Sequence, residues 1–219
     1  MKHLVVFLML LSISLGQSTP SPTLNALVDS VDRTYSQLKD FSADFKQIST
    51  LSKTNLNQTR QDEGHLYLAK GRKMFFQYAA PEERLWVTNG KTVFYYDPEE
   101  RTYTQDSVKE STADMLPLMY LVGQSGLKDR FKFSQLSRAP IYPGDSVIGL
   151  ELRKKSEDIK EIEIEVDPQR KLIVWMLIVD TNDLRHQFMF FNIKTNSNIK
   201  DSFFEFTPPA GARKVKGLQ

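Results

Sequence analysis

The chain has 219 residues, 40% of them hydrophobic and 26% charged, a globular composition that argues against disorder and fibrous repeats. Its 29 lysines and arginines against 27 acidic residues give a formal charge of +2 with no basic tract, so nothing concentrates a field for holding nucleic acid. Cysteine is absent, which removes disulfides, thiolate metal sites and a lipid-modified N-terminal cysteine, and three histidines (His3, His65, His186) leave little for a zinc or Ser-His-Asp enzyme.

Lys2 precedes the apolar stretch Leu4 to Leu15, and Ser14-Leu15-Gly16 offers small residues at a cleavage site, so the N-terminus predicts a secretory signal. A membrane anchor needs roughly 20 apolar residues, and Gln17-Ser18-Thr19-Pro20 interrupts too early. The expectation is a cleaved leader at 1–16 and one exported domain over 17–219. Ser21-Pro22 reads as a helix start, serine as N-cap and proline at the first helical position. Leu24, Leu27, Val28, Val31, Tyr35 and Leu38 then form one apolar helical stripe, ending near Lys39-Asp40.

From Phe41 the period changes to two, and Phe41 to Gln47 alternates as a half-buried strand does. The polar stretch Ser49 to Asp62 predicts a mobile loop. Strand-like runs follow near 64–69, 73–79, 84–88, 92–97, 101–105, 131–136, 147–155, 159–166, 172–180, 185–195 and 203–207. Turn chemistry separates them: Ala80-Pro81, Asn89-Gly90, Asp97-Pro98, Pro143-Gly144, Asp167-Pro168 and Asn182-Asp183. Between them, Ser111 to Val122 reads as a short helix crowded with Met115, Leu116, Leu118, Met119, Leu121 and Val122. Without an alternating αβ rhythm, the class is α+β: a long antiparallel sheet with two helical segments over one face.

Glu161 to Val166 alternates cleanly, placing Ile162, Ile164 and Val166 inward and three glutamates on a wet face. Met74-Phe75-Phe76, Leu172 to Val179 and Phe188 to Phe191 are instead apolar on both faces. Either helices cover the second face, or the sheet curls around a greasy space that its own side chains do not fill. Pattern alone leaves both open.

The segment Glu63 to Lys70, followed by Met74-Phe75-Phe76 and Ala80-Pro81, resembles the core of the periplasmic outer-membrane lipoprotein carrier (LolA) family. So do Asn89 to Pro98 and the closing Phe204-Glu205-Phe206-Thr207-Pro208-Pro209-Ala210-Gly211. Order and spacing fit as well, including Phe-x-Gln at Phe45 to Gln47 and Asp180 after the long apolar strand. The resemblance implies an open, incomplete antiparallel β-barrel of about eleven strands. An N-terminal helix and a short helical lid would lie over its hydrophobic concave side. It also implies a monomeric periplasmic carrier of lipoprotein acyl chains, with no catalytic step, no cofactor and no metal. Its partners would be an inner-membrane ABC-type lipoprotein-releasing complex and an outer-membrane lipoprotein acceptor.

In similar proteins an Arg-Pro pair just after the second strand bonds to the lid; the matching pair here is Lys70-Gly71, with Arg72 two residues on. Lysine keeps the charge and loses the planar fork, and glycine loosens the turn. If Lys70 points inward, so do Leu66 and Leu68, while Tyr67 and Ala69 face water. Met74, Phe76 and Tyr78 form the inward set on the next strand, joined as acyl-chain contacts by Trp86 and by Leu116 and Met119 of the lid. Ordinary core packing is the competing reading of each. Rival functions are a binder of another lipid or glycolipid-type cargo, a lipocalin-like small-ligand barrel, and a hydrolase using Glu161, Glu163 or Asp180. The lipocalin-like Gly-x-Trp tripeptide does not occur in the chain, and Asp180 at a strand end is more simply a turn residue.

Overall fold

The computed structural model describes residues 23–51, 58–108, 127–156 and 158–216. The predicted leader and the segment carrying Leu116 and Met119 lie outside the described residues. Helix α1 spans Leu24–Gln37. Its N-cap is Thr23, whose hydroxyl accepts the Ala26 N–H, rather than Ser21, which lies outside the described residues. The helix stops two residues short of the predicted end because Asp40 already opens a strand. The predicted stripe is its buried face: Leu27, Val28, Val31 and Tyr35, followed by Leu38.

Twelve strands follow among the described residues: β1 Asp40–Leu51, β2 Gln58–Ala69, β3 Lys73–Tyr78, β4 Arg84–Asn89, β5 Thr92–Asp97, β6 Thr102–Ser107, β7 Phe131–Gln135, β8 Ser146–Leu152, β9 Ile159–Asp167, β10 Leu172–Asp180, β11 Leu184–Thr195 and β12 Arg213–Lys214. A one-turn helix α2, Leu127–Arg130, precedes β7. The strands form one sheet in the order β12-β6-β5-β4-β3-β2-β1-β11-β10-β9-β8-β7, antiparallel except where β12 meets β6. Since β7 and β12 stand at its two ends, the sheet is an unclosed barrel, as the resemblance implies. Among the described residues no helix is long and apolar enough to cross a membrane.

Three sequence expectations are corrected. Ser49 to Asp62 is not a loop throughout: β1 runs on to Leu51 and β2 begins at Gln58, with Ser49 opposite Arg60. The run at 203–207 is not a strand; Asp201–Phe204 is a 3-10 turn continued by extended chain, and the last strand is the short β12 beyond it. The outer face is also not uniformly wet. Glu165 is fully buried, its carboxylate accepting both the Arg138 guanidinium (2.6 Å) and the Ile141 N–H (2.9 Å) from the loop before β8. Tyr67 is half-buried and Ala69 buried; Phe203 from the C-terminal segment sits 4.8 Å from the Tyr67 ring.

The inner face is one continuous apolar core. Helix α1 packs there with Phe131, Ile148, Ile162, Ile164, Ile173 and Met176, each such burial contributing roughly 1.5–3 kcal/mol. Tyr35 fastens the helix. Its hydroxyl accepts the Ile173 N–H at 2.9 Å, where a bulge shifts the β9–β10 register, and burial pushes its phenol pKa up so that it stays neutral.

Candidate functional site

Where β1 to β5 meet the start of β11, the inner face opens into a cleft of about 890 Å³. That lies within the range of roughly 300–1,000 Å³ typical of ligand sites. Its floor is aromatic. Phe45 of β1 stacks on Phe76 of β3 at 4.4 Å and meets Tyr78 edge-on at 5.3 Å; Phe188 of β11 closes the group at 6.2 Å from Phe76. Gly64 of β2 makes room for this, because a Cβ there would run into the Gln77 carbonyl and sit 3.0 Å from Phe45. Trp86 stands opposite Phe76 across β3–β4 and leans on Tyr95 at 4.6 Å.

Above the floor the wall turns polar in steps. Tyr78 donates its hydroxyl to Gln47 Oε1 at 2.6 Å, and Gln47 Nε2 donates to Ser49 Oγ at 2.9 Å. His186 Nδ1 lies 3.1 Å from both Gln47 Nε2 and Ser49 Oγ. Burial raises the Tyr78 phenol pKa, which keeps it a donor. At the rim, Asp62 accepts a two-pronged bond from Arg60 (2.9–3.0 Å) and a contact from Arg84 at 3.1 Å, and Glu82 pairs with the same two arginines. Arg84 also lies 3.7 Å over the Tyr78 ring. Its bond to Asp62 holds Arg60 above the ordinary guanidinium range.

The sequence-predicted residues divide. Phe76, Tyr78 and Trp86 line the cleft. Leu66, Leu68 and Met74 share its face but lie in the closed core, at most 1% exposed. Leu116 and Met119 lie outside the described residues. Lys70 and Arg72 occupy the β2–β3 turn, eight or more residues and roughly 25 Å along the strand from Asp62 at the rim. Lys70 is exposed, with its N–H on the Lys39 carbonyl. Gly71 (φ 85) and Arg72 (φ 62) are left-handed, a conformation proline cannot adopt, so this turn differs in kind from an Arg-Pro one.

Sequence reasoning missed Gln47, Ser49, Arg60, Asp62, Arg84 and His186. Phe-x-Gln parity was the available signal for Gln47. The rival carboxylates are engaged elsewhere. Asp180 Oδ1 accepts the Asn182 and Leu184 N–H groups at 2.8 Å as a turn residue, and Glu163 receives Arg138 at 2.7 Å. Burial and then Glu163 raise the Glu161 pKa, but both point away from the inward Ile162 and Ile164.

The sequence profile of the family described as outer membrane lipoprotein carrier protein LolA matches residues 36–207. An outer-membrane lipoprotein carrier protein of Chromobacterium violaceum is 25% identical over 214 residues, covering 97% of this chain and 98% of its own. One from Pseudoalteromonas translucida is 26% identical over 202 residues, 90% of each chain. Among solved structures, an uncharacterized conserved protein from Thermus thermophilus superposes with a TM-score of 0.55 at 11% identity, over 90% of this chain and all of that one, a likeness of fold.

Proposed function

The chain belongs to the outer membrane lipoprotein carrier protein LolA family, and we propose that it carries the acyl chains of lipoproteins across the periplasm in its open cleft. The observation that supports this most is the 890 Å³ cleft with an aromatic floor, on the inner face of a sheet that never closes. In this reading the leader at 1–16 directs export, and cargo arrives from an inner-membrane ABC-type releasing complex. It leaves to an outer-membrane acceptor, no bond being made or broken by the carrier.

Burying an acyl chain gains roughly 0.8 kcal/mol per methylene, on the order of 12 kcal/mol gross for a chain of about fifteen. Release on a useful timescale therefore needs a bound state offset by some cost of opening or closing. Lys70 is the residue we assign to that balance, in the place of the family's arginine. The expectation is that Lys70→Leu loads cargo normally and hands it over more slowly. Unchanged transfer kinetics would remove Lys70 from the mechanism.

The carrier reading itself is tested by native mass spectrometry of the protein purified from its own periplasm, before and after organic extraction. A co-purifying lipidated protein is the expected result. A glycolipid or other amphiphile in its place would keep the cleft and change the cargo. Nothing bound, together with no uptake of an environment-sensitive acyl probe, would overturn the reading.

A further inference from the structure

The cleft wall changes character along the strands in a fixed order. On β1, Phe45 lies buried beneath the floor, stacked on Phe76, and Gln47 lies two residues beyond it, about 7 Å higher. Ser49 follows, opposite Arg60 of β2 and His186 of β11. Gln47 is only 5% exposed, yet it and Ser49, Tyr78 and His186 all line the cleft. A buried amide in the wall of an apolar site costs free energy unless its hydrogen bonds are met.

Counting hydrogens shows that they are not all met within the group. Tyr78 uses Gln47 Oε1, and one Gln47 N–H uses Ser49 Oγ. The second Gln47 N–H and the Ser49 hydroxyl both approach His186 Nδ1 at 3.1 Å, and that nitrogen has one lone pair. If Nδ1 carries the proton instead, it accepts neither. Nδ1 thus accepts at most one of these two hydrogens, and the other, on Gln47 or Ser49, is open to an acceptor in the cleft.

We infer that Gln47, Ser49, Tyr78 and His186 form a subsite for the carbonyl oxygen of an acyl ester or amide, at the depth where the hydrocarbon of the cargo ends. This rests on the carrier reading above. The rim selects against a charged acceptor: Asp62, Glu82, Glu83, Asp97 and Glu99 outnumber Arg60 and Arg84, whose guanidiniums are already held by Asp62 and Glu82. A neutral carbonyl is therefore favoured over a free fatty-acid carboxylate or a phosphate. The subsite sets both register and class, since a chain inserted with its carbonyl at Gln47 has its hydrocarbon on Phe76 and Phe188.

The test is displacement of an environment-sensitive acyl probe from the exported protein by a diacyl glycerol ester and its dialkyl ether analogue of equal chain length. The ester is expected to displace at about fivefold lower concentration, the scale of one net hydrogen bond. Ser49→Ala, at a half-buried position, and Gln47→Leu should bring the ester to the level of the ether and leave the ether unchanged. Equal displacement by both in the wild type, or an ester preference that survives in Ser49→Ala, overturns the subsite while leaving the carrier reading intact. A protein that never takes up the probe overturns both.

Discussion

In the β7–β10 half of the sheet, the inward side chains Phe131, Ile148, Ile164 and Ile173 meet Val28 and Val31 of α1, and the space left among them is about 20 Å³. In the half built from β1 to β5 with the start of β11, inward residues of the same apolar and aromatic kind face a cleft of about 890 Å³. Apolar and aromatic side chains stand in both halves, and two things separate them: α1 supplies its stripe to one side, and on the other the aromatic floor gives way to a hydrogen-bonded belt and an ion-paired rim. Within the cleft half itself, Leu66, Leu68 and Met74 remain closed core, while Phe76, Tyr78 and Trp86 line the open space.

The sharpest way to break that comparison is to truncate one residue in each half. Leu27→Ala, in the filled half, is expected to lower unfolding free energy by about 2–5 kcal/mol in chemical denaturation, with acyl-probe binding by the folded fraction unchanged. Trp86→Ala, half-buried over the cleft, is expected to cost less than about 1.5 kcal/mol of stability while weakening probe binding by roughly tenfold. Equal stability losses would mean that the cleft is simply core. The smallest effect concerns the outer face, where Asp44 of β1 receives Asn192 of β11 and touches His65 of β2, joining the two halves from outside. The Asn192 bond, with His65 behind it, holds the Asp44 carboxyl below the usual carboxylate range. Its contribution is thus complete above that range and lost as pH falls through the lowered value. An acid titration of stability should show Asp44→Asn differing from wild type at neutral pH by at most about 1 kcal/mol and converging with it only once the pH has fallen through the lowered Asp44 value.

Much of this architecture was legible from residue spacing. The stripe Leu27, Val28, Val31 and Tyr35 is the buried face of α1, and the parity placing Leu66, Leu68, Met74, Phe76 and Tyr78 on one face holds through the β2–β3 register. What failed did so for two physical reasons. Ser49, Arg60 and Asp62 face a polar belt and rim, so their strands lack the apolar alternation that announces a strand, and the stretch read as a loop. Tyr67 and Glu165 are covered by Phe203 and Arg138, distant in sequence from the strands they cover, and a local pattern carries no trace of such cover. Of the cleft lining, Phe76, Tyr78 and Trp86 were expected on the inward face, and Gln47, Ser49 and His186 were not.

The central strand β1 hydrogen-bonds to β2 on one side and to β11 on the other, and the Lys39 N–H beside it meets the side-chain oxygen of Asn196, 157 residues away. The middle seam of the sheet thus joins the beginning of the chain to nearly its end. During synthesis β1 keeps an open edge until β11 arrives, which makes folding slow and late and leaves a nascent chain vulnerable to pairing with the wrong strand. The β1–β11 ladder, the middle of the sheet, cannot form at all while the C-terminal strands are still missing.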